Sequence, residues 1–250
     1  MKRILVAFIA VAVVALAGCG GTSSSGTAPA PSSGAQKLTK VKIATVSPLS
    51  ANAVALGEAI KFGAQTALAD KKDALNKAGY DVEIVAKDDQ GKGEVGAQIA
   101  LDLLSDKDVL GIVGTLNTSV AKSILPKIKD EHLVMVSPAN TGVELTEQGY
   151  DNYNRVCFRD DYQGPAGARY AIKSLGAKTV WVIDDKTAYG EGLANEFAKE
   201  FSKQGGKVLG TDHTTDTQTD FQAVLTNIAP ANPDLIYYGG IYNAGANLLK

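Results

Sequence analysis

Two short polar stretches hold the side chains best suited to grip a small charged molecule: Gly114-Thr115-Leu116-Asn117-Thr118-Ser119 and Ser137-Pro138-Ala139-Asn140-Thr141. Each follows an apolar run that reads as a β-strand, and the first opens a helical pattern. In an open parallel sheet, ligands bind beyond the carboxyl ends of the strands, where helix N-termini point. Hydroxyls and free backbone N–H groups converging there suit a carboxylate, because the helix dipole favours an anion and every donor then meets a charged acceptor. The same spacing also fits ordinary helix caps at Thr118 and Ser119. Spacing alone leaves both readings open.

Catalytic constellations are harder to find. Of the two histidines, His132 is expected to open a buried strand and His213 to sit in a surface turn among Thr and Asp residues, neither beside a nucleophile at a strand's carboxyl end. Gly190-Glu191-Gly192 lacks the third glycine of a dinucleotide fingerprint, and there is no Walker lysine. Asp184 and Asp185 could invite a metal, but neighbours on a strand point to opposite faces, so they read as solvated loop residues. Cys157, in the strand-like stretch Arg155-Val156-Cys157-Phe158, reads as a buried, inert thiol. The pattern argues against an enzyme and calls for neither cofactor nor metal. A formal charge of −2 leaves no basic surplus for a nucleic-acid partner.

The elements that must position these residues alternate strand and helix. Strands are expected at 41–47, 81–87, 109–114 and 132–136, the last an uninterrupted apolar run suited to burial on both faces. Between them lie a helix at 56–77 and helices whose apolar faces carry Val95, Ile99 and Leu103, then Val120, Ile124 and Ile128. After the charged stretch Arg159-Asp160-Asp161 a second series follows. Helices are expected at 163–175, 191–204, 221–228 and 243–249, and strands at 179–183, 207–211 and 235–238. Such spacing predicts an α/β fold of parallel sheets flanked by helices, as two lobes covering 41–159 and 160–250 with a hinge near residue 160. The last helix meets no glycine cap and no following element, so the second lobe is expected to be incomplete.

The beginning of the chain has another character. Lys2 and Arg3 precede an apolar run at 4–16 that is short for a membrane span, which is the layout of an export signal. The run ends Leu16-Ala17-Gly18-Cys19, which resembles the lipobox of bacterial lipoproteins and implies cleavage before Cys19 and acylation of its thiol. The chain is then exported and lipid-anchored, at the outer face of the cell membrane or in the periplasm. Residues 20–40 are Gly, Ser, Thr, Ala and Pro with almost no large apolar side chain and read as a flexible tether. With Cys19 lipidated, Cys157 is the sole other cysteine and no intramolecular disulfide can form.

Seven segments occur in the order found in leucine/isoleucine/valine-binding proteins of ABC importers. They are Pro48-Leu49-Ser50, Lys87-Asp88-Asp89, the 114–119 and 137–139 loops, Gln163-Gly164-Pro165, the 185–192 run and Tyr237-Tyr238-Gly239-Gly240. The chain resembles that family from residue 41 to 250. The resemblance implies a type I periplasmic binding protein, with two Rossmann-like lobes that close on an amino acid, branched-chain in type, and deliver it to membrane permease subunits. It implies that Thr118 supplies a hydroxyl to the ligand carboxylate and that Ala139 and Thr141 hold its carboxylate and ammonium. Leu116 and Asn117 line the same wall, and Tyr189 closes over the ligand. Leu56 and Ile241 stand where the family places pocket tyrosines, which implies a reshaped side-chain pocket. The acidic partner of the ammonium is expected beyond Lys250, and the chain is expected to be C-terminally truncated. A ligand-sensing or non-transport lipoprotein on the same fold, or a binding-impaired product, are the alternatives left open.

Overall fold

The computed structural model describes residues 37–250. The expected export signal at 1–19, Cys19 and the expected tether as far as residue 36 lie outside the described residues. Secondary structure starts at Thr39, just inside the expected tether.

Five parallel strands form the first sheet: β1 (Thr39–Ser47), β2 (Tyr80–Asp88), β3 (Val109–Gly114), β4 (Val134–Ser137) and β5 (Tyr153–Arg155). Their order is β2-β1-β3-β4-β5, all parallel. Helices α1 (Val54–Lys77), α2 (Gly93–Ser105) and α3 (Thr118–Ile128) are the crossovers. Strand order reverses between β1 and β3, which opens a crevice at the carboxyl ends of those two strands. A core of Val46, Leu103, Ile112, Ile124, Leu125, Ile128, Leu133 and Met135 welds α2 and α3 to the sheet.

The second sheet is three-stranded, in the order β7-β6-β8, again parallel. It consists of β6 (Thr179–Asp184), β7 (Lys207–His213) and β8 (Leu235–Gly239), with helices α4 (Asp160–Lys173), α5 (Ala188–Lys203), α6 (Gln222–Ile228) and α7 (Tyr242–Leu248). Phe197 and Phe201 of α5 are buried, and Phe197 stacks on Tyr237 of β8 with ring centroids 3.6 Å apart. Order reverses here between β6 and β8, so this sheet has its own crevice at the ends of those strands.

Close backbone approach fixes how α5 meets β8. A Cβ on Gly190 would lie 2.1 Å from Asp185 Oδ1 and 2.5 Å from the Gly239 carbonyl, so only glycine fits. In the first lobe, Gly57 lets α1 pass against Pro48, whose carbonyl would sit 1.8 Å from a Cβ there. The Gly57 carbonyl accepts a 2.9 Å hydrogen bond from Ser47 Oγ.

Several expectations from sequence need correcting. Residues 132–136 are not a strand buried on both faces: His132 precedes β4 in an exposed turn, and burial then alternates, with Met135 enclosed and Val134 and Val136 open. Leu110 and Phe62 are open as well. A uniform apolar run cannot distinguish a face that is covered from one that is merely apolar. The strand near Cys157 lies earlier, at β5, and leaves Val156 and Phe158 exposed. Cys157 itself is half-buried and its thiol faces the Asn140 carbonyl at 3.3 Å. The Arg159-Asp160-Asp161 stretch, expected as a hinge, contains the first turn of α4, where Asp160 is buried.

Candidate functional site

The loops after β3 and β4 are laced together by one side chain. Asn140 is fully buried; its Oδ1 accepts from Thr115 N at 3.2 Å, and its Nδ2 donates to Thr115 Oγ1 and to the Leu116 carbonyl, both at 3.1 Å. Ser137 Oγ completes the lacing, donating to the Thr115 carbonyl at 3.3 Å and accepting from Ala139 N and Asn140 N. On the far side Arg155 donates to the carbonyls of Asn140, Gly142 and Val143 and to the Thr146 hydroxyl. The 137–146 segment is thereby held from both sides. Sequence reasoning saw Asn140 only as a turn former, since nothing in the linear order says which loop its amide reaches.

Two hydroxyls in this frame have no partner. Thr118 is the first residue of α3, and the helix is entered through Asn117 in an extended conformation, with no side-chain cap. Thr118 and Thr141 Oγ1 are both buried and make no hydrogen bond. The Thr118 methyl packs on Gly142, the residue after Thr141, where a Cβ would come within 2.5 Å of it, so α3 starts against the loop that carries Thr141. A hydroxyl that caps its helix would be satisfied. These are not, and a buried hydroxyl left unpaired is costly unless something fills the site.

The opposite wall comes from the second lobe. Asp185 Oδ1 accepts from Thr187 N and Thr187 Oγ1, and Thr187 Oγ1 accepts in turn from Gly190 N at 3.0 Å, which caps α5. This arrangement puts Tyr189, the second residue of α5, at the cleft. Its hydroxyl accepts from Gln163 Nε2 at 3.2 Å, and burial raises its pKa.

Between the walls lies a cavity of about 270 Å³ lined by Leu56, Leu116, Asn117, Ala139, Thr141, Tyr189, Gly240, Ile241 and Tyr242. Every one of these residues follows the carboxyl end of a strand: β1, β3, β4, β6 or β8. The cavity therefore spans the switch points of both sheets. Of the residues expected from sequence, Leu56, Leu116, Asn117, Ala139, Thr141, Tyr189 and Ile241 line it, and Thr118 is buried just behind Asn117. Gly240 and Tyr242 were not singled out as site residues.

Asp160 was missed altogether. It opens α4, its N–H donates to the Thr141 carbonyl at 2.9 Å, and it is 1% exposed. Neither carboxylate oxygen has a partner. Burial pushes its pKa up to about 6; the neighbouring Thr141 hydroxyl opposes the shift without meeting hydrogen-bond geometry. An acid at the start of a helix is so ordinary for the macrodipole that the sequence gives no hint of a second role.

Three further corrections concern the carboxylates and His213. Asp184 and Asp185 are buried rather than solvated. Asp184 accepts from Lys186 N, and its Oδ2 stands 2.7 Å from His213 Nδ1. His213 is the last residue of β7, so it does lie at a strand's carboxyl end, not in a surface turn. Among the described residues no group of three or more His, Cys, Asp or Glu side chains could hold a metal, and no helix is long and apolar enough to cross a membrane.

Comparison with known proteins gives a consistent result. The sequence profile of the family described as periplasmic binding protein matches residues 40–250. Leu/Ile/Val-binding protein homolog 3 of Brucella melitensis is 34% identical over 214 residues, which is 84% of this chain and 56% of that protein. Among solved structures, a leucine binding protein from Thermotoga maritima aligns with a TM-score of 0.73 at 35% identity, over 79% of this chain and 55% of that one. The branched-chain amino acid transporter substrate binding protein of Streptococcus pneumoniae, solved in complex with isoleucine, aligns with a TM-score of 0.70 at 27% identity, covering 79% and 56%. The chain thus spans a little over half the length of each of these relatives.

Proposed function

The chain belongs to the periplasmic binding protein family, and on that premise we propose that it is the solute-binding component of an ABC importer, taking an amino acid between its two lobes. The ligand is of branched-chain type, and the loaded protein hands it to membrane permease subunits. The protein is exported, and Cys19 carries the lipid that tethers it to the membrane. No chemistry is performed on the ligand.

The observation that carries this reading is the pair of unpartnered, buried hydroxyls of Thr118 and Thr141 beside one cavity at the switch points of both sheets. A carboxylate placed at the start of α3 gives Thr118 the acceptor it lacks and meets the positive end of the helix. The remaining wall, Leu56, Leu116, Ile241 and the Tyr189 ring, is apolar and suits a branched aliphatic side chain. At about 270 Å³ the cavity falls just below the ~300–1,000 Å³ of sites for drug-sized ligands, as befits a molecule the size of an amino acid. The relatives named for leucine, isoleucine and valine support the same ligand class.

Isothermal titration with L-leucine, L-isoleucine and L-valine tests the proposal. The expected affinity is micromolar, on the order of −8 kcal/mol. Thr118→Val removes one hydrogen bond to a charged group, about 1.5–3 kcal/mol, and is expected to weaken binding by roughly 10- to 150-fold. No heat with any of the three amino acids, or a Thr118→Val variant that binds as well as the parent, would sink the reading.

A further inference from the structure

We propose that Asp88 is a positioning residue for the cavity: its carboxylate holds the left-handed turn after β1, through that turn sets where Leu56 stands, and so governs which aliphatic side chains the site accepts. The inference rests on the amino-acid reading above and adds to it a residue that is not itself part of the cavity lining.

The segments Pro48-Leu49-Ser50 and Lys87-Asp88-Asp89 are far apart in the chain, and the structure joins them in one clamp. Asp88, the last residue of β2, accepts at Oδ1 from Leu49 N at 2.8 Å, from Ser50 N at 3.3 Å and from Gln90 N at 2.9 Å. Its Oδ2 accepts from Ser50 Oγ at 2.5 Å. Asp89 N adds a bond to the Ser47 carbonyl at 3.2 Å, so the turns after β1 and β2 are tied along their length. Burial alone would raise the Asp88 pKa, but the Ser50, Leu49 and Gln90 donors carry it below the ordinary carboxylate value. The carboxylate is therefore charged at neutral pH and its bonds are charge-assisted.

The tied turns are strained. Among the described residues six non-glycine positions have a left-handed φ, and three of them lie here: Ala51 at 63°, Ala53 at 62° and Gln90 at 55°. A residue with a side chain adopts that conformation at a cost and keeps it only where its surroundings impose it. Alanine has no group of its own with which to hold such a turn. The restraint comes from outside, and Asp88 is what binds the residues that lead into it.

Ala53 is also the residue through which α1 is entered. No side chain caps this helix and its first turn carries no acid. Its opening bonds run from Leu56 N and Gly57 N to the Ala53 carbonyl, at 3.0 and 3.1 Å. The conformation of Ala53 thus aims the first turn of α1, and Leu56 on that turn is cavity wall. Ser47 Oγ, bound to the Gly57 carbonyl, and the close pass of Gly57 over Pro48 fix how near α1 lies to β1. Asp88 fixes how the chain arrives there. Leu56 is 39% exposed, so packing does little to hold its side chain and its place is inherited from the backbone.

A double-mutant cycle on the full chain tests the inference, read by isothermal titration with the tightest-binding of L-leucine, L-isoleucine and L-valine. Asp88→Ala is expected to weaken binding by about tenfold in the parent and by less than about twofold in a Leu56→Ala background, because a clamp that acts through Leu56 has nothing to position once that side chain is gone. Asp88→Asn, whose amide oxygen still accepts from the Leu49, Ser50 and Gln90 N–H groups, is expected to restore affinity to within about threefold of the parent. Should Asp88→Ala show no cooperative unfolding in urea, Ser50→Ala, which removes only the hydroxyl bond to Asp88, carries the same cycle at smaller amplitude, about threefold against none. Losses of equal size in both backgrounds, an unchanged affinity in the parent background, or an asparagine variant as weak as the alanine one would each overturn the inference and leave the amino-acid reading standing. A parent that binds none of the three amino acids overturns that reading instead, and this inference with it.

Discussion

Replacing Asp89 by asparagine gives a direct measure of what an enclosed carboxylate does to this fold. Asp89 follows β2, is wholly buried, and has one oxygen accepting from Gly91 N at 2.8 Å and the other unpartnered. Burial is the main cause that raises its pKa to about 6 from 3.8; the Gly91 hydrogen bond opposes the shift, and the charge of Asp88 adds to it. The folded state therefore holds more protons on this group than the unfolded chain between pH about 4 and 6. Stability falls as pH rises through that window, the reverse of what a salt-bridged carboxylate gives. Two units at about 1.4 kcal/mol each make the loss on the order of 3 kcal/mol. Asparagine keeps the acceptor for Gly91 and has no charge to bury. Its unpaired amide adds a pH-independent cost of about 1–3 kcal/mol, so the informative quantity is the change with pH and not the offset. Urea unfolding of both proteins from pH 4 to 7 should show the variant gaining about 3 kcal/mol on the parent across the range. Asp160 titrates in the same window in both proteins and cancels in the difference. A stability difference constant to within about 0.5 kcal/mol, or one that moves against the variant as pH rises, would refute the assignment.

Two further substitutions probe the frame of the cavity. Gly190→Ala drives a methyl into Asp185 Oδ1 and the Gly239 carbonyl, and is expected to cost about 2–4 kcal/mol in urea unfolding, from overpacking and loss of a Thr187 bond. Asn140→Ala strands Thr115 N–H and the Leu116 carbonyl, and is expected to cost about 2–4 kcal/mol in urea unfolding and, on the proposed function, to abolish the heat of isothermal titration with L-leucine.

The alternation of strand and helix was legible because crossover helices leave a four-spaced apolar stripe, as at Ile124 and Ile128, and because parallel strands are short apolar runs between them. Boundaries moved by a few residues where polar groups join a strand end, as Asp88, Asp184 and His213 do. Which face of a strand is covered was not legible: Val134 and Val136 have the composition of a core and stand open. Lining residues such as Leu116 and Tyr189 could be named in advance because ligand loops follow strand ends and because the motifs resembled a known family. Asn140 and Asp160 were out of reach. Each acts through a partner distant in the chain, Asn140 on Thr115 and Asp160 beside Gly192, and neither pairing leaves a trace in local order.

The backbone contact between Gly190 and Gly239 means that the Tyr189 turn cannot shift without carrying the Gly240–Ile241 turn along, since Asp185 N also donates to the Gly239 carbonyl at 3.1 Å. Asn140 imposes the same coupling on the facing turns. Each side of the cleft is thus stiff before any solute arrives, and little of the attraction between solute and protein is consumed in ordering loops. On the proposed reading, discrimination among aliphatic side chains then depends on side-chain size at Leu56 and Ile241 and scarcely at all on the surrounding main chain.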